Sequence, residues 1–183
     1  DRKESADYGK QCLTARRLIE RGVRFVQIFA ACPNTPGGAV SDVPWDAHND
    51  INVNHRACAA SVDQPSGALL ADLKARGLLD DTLVIWGGEF GRTSDSQGSK
   101  GRDHNPNAYT TWMAGGGIRG GMQYGKSDEF GYHSVEDRVN VHDIHATVLH
   151  LLGLEHKRLT YRFNGRDFRL TDVAGELIQE ILA

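Results

Sequence analysis

The sequence predicts an α/β fold with a mostly parallel sheet and helices on both faces. Two stretches carry that expectation. A helix, a glycine and a β-branched strand follow one another twice, in ARRLIERGVRFVQI and in LADLKARGLLDDTLVIW. Such alternation is the pattern of strands joined by helical crossovers. The composition agrees, because 39% hydrophobic and 25% charged residues allow a packed core and argue against disorder. A length of 183 residues suits one domain or most of one. The chain begins at Asp1 rather than Met and is read as a piece of a longer protein.

The elements follow in order. Apolar residues at helical spacing, with Gly22 as a stop, predict a helix over 8–21. VRFVQIFA, 23–30, reads as a strand, and 32–45, with three prolines and two adjacent glycines, as a long loop. A second helix is expected over 53–76, with Pro65 marking a kink or its true start and Gly77 its end. TLVIW, 82–86, is a buried-strand pattern that runs out into Gly87-Gly88. YTTWMA, 109–114, is a further strand, 122–125 a short one, and 126–140 a polar, turn-rich segment. VHDIHATVLHLL, 141–152, reads as a helix closed by Gly153, with Asp143 near its N-terminus where a carboxylate suits the helix dipole. Segment 159–170 is a hairpin around Asn164-Gly165, and 173–183 a last helix.

Bulk charge narrows the function. A formal net charge of −3, with no basic run and no aromatic-interleaved basic patch, excludes nucleic acid as the expected partner. No apolar run reaches the ~18–20 residues of a membrane span. Three cysteines at wide spacing form neither a disulfide framework nor a zinc pattern; Cys12 and Cys58 read as core thiols and Cys32 as a loop thiol.

Three sets of residues are able to carry chemistry. Asp46, His48 and Asp50, with His55 further on, alternate in a loop before a helix. Carboxylate and imidazole there suit zinc or manganese, or else form a hydrogen-bonded loop with Asp50 as a helix cap. Glu89, Arg92, Arg102, Asp103 and His104 follow the 82–86 strand, at the kind of strand end where open α/β sheets bind ligands. The planar fork of Arg92 or Arg102 suits a tetrahedral oxyanion, unless both arginines are paired with Asp95 and Asp103. His142, Asp143, His145 and His150 lie on one helix, where capping and surface roles compete with metal binding.

VDQPSGALLADLKARGLLDDTLVIWGGEF resembles the sulfatase and alkaline-phosphatase superfamily, and VHDIHATVLHLLGL resembles a later helix of the same proteins. WDAHND, GGEFGRT, GRDHN, MAGGGIRGG and HDIHATVLHLLGL, in this order, resemble a bacterial family called domain of unknown function 1501, grouped with sulfatases. The resemblance runs from Tyr8 to about Val173. It implies that residues 1–183 are the C-terminal portion of a single sulfatase-like α/β domain whose N-terminal part, with its nucleophile, is missing. It also implies one or two divalent ions (Zn, Mn or Ca), held by Asp46, His48 and His104 and by Glu89. Phe90 departs from the pattern, since the superfamily has His or Asn there and phenylalanine cannot ligate a metal. Arg92 and Arg102 would bind nonbridging oxygens as catalytic residues. The implied activity is metal-dependent hydrolysis of a small-molecule or glycan sulfate or phosphate ester, in a periplasmic or exported protein. The alternative is a non-catalytic, sulfatase-like module that binds an anionic ligand or a cell-surface partner. Either way, the chain is expected to need its missing half or to self-associate through an open sheet edge.

Overall fold

The structure is a computed structural model that describes residues 5–30 and 45–183. The chain divides into two compact units, Asp1–Leu79 with Gly88–Tyr109, and Asp80–Gly87 with Thr110–Ala183.

The first unit is built on two helices, α1 (Ala6–Glu20) and α2 (Ile51–Ala75). Cys12 and Ala15 of α1 and Cys58, Val62, Pro65 and Leu73 of α2 supply its buried face. Cys12 and Cys58 are free, buried thiols, as expected; Cys32 lies outside the described residues, as does nearly all of the 32–45 loop. Pro65 neither starts nor ends α2. It sits buried within a continuous helix, close to Gly9 of α1, where a Cβ would stand 3.9 Å from the proline ring. Four side chains bind the helices together beyond the core. Arg16 pairs with Glu20 at 2.6 Å and Asp72 at 2.8 Å, and Arg76 with Asp72 at 2.8 Å and Glu20 at 3.1 Å. The N-terminus of α2 is closed by Asp50, whose carboxylate accepts from the backbone of Asn52 and Val53.

The expected sheet is where sequence and structure part. The described residues hold only short antiparallel pairs, not a mostly parallel sheet with helices on both faces. These are β1 (Val84–Trp86) with β4 (Trp112–Ala114), β2 (Gly91–Arg92) with β3 (His104–Asn105), β5 (Lys126–Ser127) with β6 (Ser134–Glu136), and β7 (Thr160–Phe163) with β8 (Arg166–Arg169). The helix–glycine–strand unit is present locally, as α2, Gly77 and β1. Yet the chain between β1 and β4 holds the β2–β3 pair and no helix, so no helical crossover carries it to a parallel neighbour, and β4 pairs with β1 antiparallel. The first repeat fails differently. Segment 23–30 carries no ladder among the described residues; Val26 and Ile28 are half-buried while Phe25 and Phe29 stand 71% and 75% exposed. The strand expected at 122–125 does not form either, and the turn-rich 126–140 segment contains the β5–β6 pair instead.

The second unit also holds α3 (Val141–Leu151), closed by a capping box in which Asn140 and Asp143 satisfy each other's backbone. The hairpin over β7 and β8 turns at Asn164-Gly165 as the sequence predicts. The final helix does not form. After a turn at 171–173, residues 174–178 run beside α3 without regular secondary structure, held by Glu176 N to Asp143 Oδ1 and Ile178 N to Thr147 Oγ1, before one 3-10 turn at Gln179–Ile181. Gly175, at φ 94, lets this strap approach α3 closely. No described helix is long and apolar enough to cross a membrane.

Candidate metal centre

Within the first unit, three segments converge on one point. Asp46 and His48 precede the cap of α2. The β2–β3 pair sets Arg92 directly across from His104, so that both side chains leave the ladder on the same face. The loop between these strands folds back along 46–51, through Arg102 N to Ala47 O at 2.9 Å and Ile51 N to Lys100 O at 3.2 Å. Gly101 lies between those two bonds. A Cβ there would run into the His48 carbonyl and come within 2.9 Å of Asn49 N, so only glycine lets the strands lie this close.

The result is a cluster of donor atoms. Asp46 Oδ1 is 2.7 Å from His48 Nε2 and 3.1 Å from His104 Nε2. The two imidazole nitrogens are themselves 3.1 Å apart. One ligand atom from each residue lies within 4.8 Å of the others. Ligands ~2.0–2.1 Å from a zinc ion at tetrahedral angles stand about 3.3 Å apart, so the donor separations fit a single ion. The chemistry fits as well. Two imidazole nitrogens and a carboxylate oxygen this close require positive charge at their centre, either protons or a metal ion. Side-chain exposures of 32%, 33% and 41% for Asp46, His48 and His104 leave the cluster open to solvent.

Neighbouring groups orient the three. Gln97 Oε1 accepts from His48 Nδ1, which fixes that ring's tautomer and leaves Nε2 free to ligate. Phe90 stacks on His104 with centroids 4.0 Å apart and planes 24° apart. Arg92 lies over the same phenyl ring, 5.5 Å from its centroid. Its Nη2 donates to Asp46 Oδ1 at 3.0 Å and to Trp45 O at 2.9 Å, and its Nη1 to Arg102 O. The His104 hydrogen bond, then that of Arg92 and the nearby His48 charge, hold the Asp46 carboxyl below its usual value, against the opposing effect of partial burial.

The remaining sequence-predicted residues fall elsewhere. Glu89 is exposed and is not part of the three-residue group. Arg102 turns to its own loop, onto the carbonyls of Gly101 and Lys100 and the hydroxyl of Ser96. Asp103 accepts from the backbone of His104 at 2.7 Å. Asp50 is a cap, and His55 packs on Trp45 with ring centroids 5.6 Å apart. The Thr93 hydroxyl accepts from Asp103 N and donates to Asp95 O. In the second unit, His142 bonds Asn140 and Asp143 belongs to the capping box, so neither joins a ligand group. Gln97 and the stacking role of Phe90 were not foreseen. The GRTSDSQGSKGRDH stretch contains the signal for Gln97 only as an amide inside a turn-forming run.

Fold and cluster together define a two-unit protein with a solvent-open group of two histidines and one carboxylate able to hold a metal ion. The chain belongs to the family described as "Protein of unknown function (DUF1501)", which it matches over residues 1–182. No curated protein and no solved structure matches it.

Proposed function

We propose that this chain carries the metal-binding face of a metal-dependent hydrolase of sulfate or phosphate esters. The supporting observation is the convergence of Asp46, His48 and His104 on one point. Kinship with the sulfatase and alkaline-phosphatase superfamily is part of this proposal. It rests on the sequence motifs alone, as does an exported or periplasmic location. A bound divalent ion would act as a Lewis acid that polarises an ester oxygen. Asp46 brings the one anionic ligand, and His48 and His104 bring neutral ones. Arg92 holds Asp46 in place and balances its charge, so its role runs through that carboxylate. Two nitrogens and one oxygen favour zinc, manganese or iron(II) over calcium, which prefers six to eight oxygen ligands.

The solvent-open cluster and the engagement of the Thr93 hydroxyl in its own turn favour a second reading, a metal-dependent binding module for an anionic ligand. Turnover of aryl sulfate and aryl phosphate by protein loaded with zinc, manganese or iron(II) separates the two. Hydrolysis lost in His104→Ala supports the enzyme. Metal binding without hydrolysis of either ester removes it in favour of the module.

A further inference from the structure

We propose that the aromatic face of the β7–β8 hairpin is a self-association surface that seats the same face of a second copy of this chain. The register pairs Tyr161 with Phe168 and Phe163 with Arg166. Alternation then collects these four side chains on one face of the ribbon, and Leu170 continues it. That face is open: Tyr161 and Leu170 are each 70% exposed, Phe163 55% and Phe168 37%. Val173, the next apolar residue along the chain, is 76% exposed.

An isolated two-stranded hairpin is marginal in water and is normally covered on its apolar face. A fully buried aromatic side chain removes ~150–250 Å² from water, so the exposed fractions of the three aromatics alone leave roughly 300 Å² open. Leu170 extends the patch to roughly 400 Å², within the range of the largest patch on a typical monomer. One such face from each copy supplies about half of the ~800 Å² that a partner contributes to a standard interface, before the polar rim is counted.

Charge selects the occupant. The arginines of the hairpin interleave with its aromatics in TYRFNGRDFR, 160–169, which corrects the expectation that the chain has no such stretch. However, Arg162 pairs with Asp167 at 3.0 Å, Arg166 with Asp172 at 3.2 Å and Lys157 with Glu176 at 3.7 Å. Residues 155–176 hold five basic side chains against four acidic. A polyanion or an anionic bilayer requires a strongly unbalanced positive surface, whereas here three of the five basic side chains are ion-paired and the count leaves an excess of one positive charge. A second copy brings the same nearly neutral aromatic face. Two-fold pairing then buries it with little like-charge repulsion. The stacking of Arg166 on Phe168, 4.6 Å from the ring centroid, keeps one arginine flat against the patch rather than projecting from it.

The test is sedimentation equilibrium on the whole chain, with circular dichroism to confirm folding. Three variants are compared: Tyr161→Ser/Phe163→Ser, Leu170→Glu, and Phe25→Ser/Phe29→Ser as an exposed-aromatic control in the other unit. Wild type and the control are expected to dimerise alike, while the two hairpin variants raise the dimer Kd at least ~30-fold, as loss of interface hot spots does. Leu170→Glu leaves the Tyr161–Phe168 cross-strand pair in place, so it reads the surface even if the double variant unfolds. A wild type that stays monomeric overturns the proposal, as does a dimer indifferent to the hairpin variants. Monomer that floats with phosphatidylglycerol vesicles through Tyr161 and Phe163 also overturns it, in favour of a membrane.

Discussion

Replacing Gly101 by alanine presses a methyl group into the backbone of a proposed metal ligand. The new Cβ would overlap the His48 carbonyl and stand 2.9 Å from Asn49 N, where ordinary Cβ contacts lie at 3.4–4 Å. Neither atom belongs to a flexible side chain. Both strands are held by the bonds Arg102 N to Ala47 O and Ile51 N to Lys100 O, so they must part by on the order of 1 Å and carry His48 with them. A misplacement of ~1 Å in a preorganised site can cost ~100-fold, about 2.7 kcal/mol. The expected result is a ~100-fold weaker zinc affinity in a chain that remains folded, measured by titration against a chromogenic chelator. Gly98→Ala provides the contrast. Gly98 sits at φ 62 with nothing within 4 Å of its Cβ position. Alanine there meets only left-handed backbone strain, roughly 1–2 kcal/mol of stability, and leaves His48 in place. Wild-type affinity in folded Gly101→Ala, or an equal loss in Gly98→Ala, would refute the reasoning.

Three other outcomes follow from the same geometry. Gln97→Ala removes the acceptor that fixes the His48 tautomer, and metal affinity should fall ~10–100-fold with little change in melting temperature. Titration calorimetry beside a thermal melt checks both halves. Asp50→Ala leaves two backbone donors of α2 uncapped, and unfolding in urea should show a loss of about 1 kcal/mol. The depressed value of Asp46 means that its ionised form stabilises the folded state. That contribution is full above the unfolded aspartate value of ~3.9 and is lost as pH falls through the lower folded value. Metal-free wild type should therefore be more stable than Asp46→Asn at pH 6, with the gap closing towards pH 3. A gap that stays constant across that range would show that the carboxylate charge plays no part.

How much of this could be read from the sequence depended on the range of the interactions. Asp46 and His48 stand at alternate positions of one loop, and a loop of that kind declares itself by residue type. His104 was legible because GRDH follows a strand in a glycine-rich run. The face it shares with Arg92 was not, since β2 and β3 are two residues each and too short to impose a periodic pattern. Phe90 drew attention as a residue unable to ligate. Its actual use, stacking on His104, depends on a fold-back that no spacing encodes. The same limit explains the sheet. Phe25 and Phe29 alternate with Val26 and Ile28, which makes both faces of 23–30 apolar and reads as a buried parallel strand. What the strand pairs with is a long-range matter, and here it carries no ladder. The C-terminal segment has helical apolar spacing, but hydrogen bonds from the Glu176 and Ile178 backbone to side chains of α3 take the place of helical ones there. α1, α2, α3 and the β7–β8 hairpin were legible because turns, caps and periodicity decide them locally.

The central claim is that Asp46, His48 and His104 hold one metal ion. Metal content by inductively coupled plasma mass spectrometry, after purification with zinc, manganese or iron(II) in turn, tests it most directly. The account predicts about one ion per wild-type chain and near-complete loss in Asp46→Ala, His48→Ala and His104→Ala, with Glu89→Ala unchanged. A metal-free wild type, or variants that keep their ion, would contradict it.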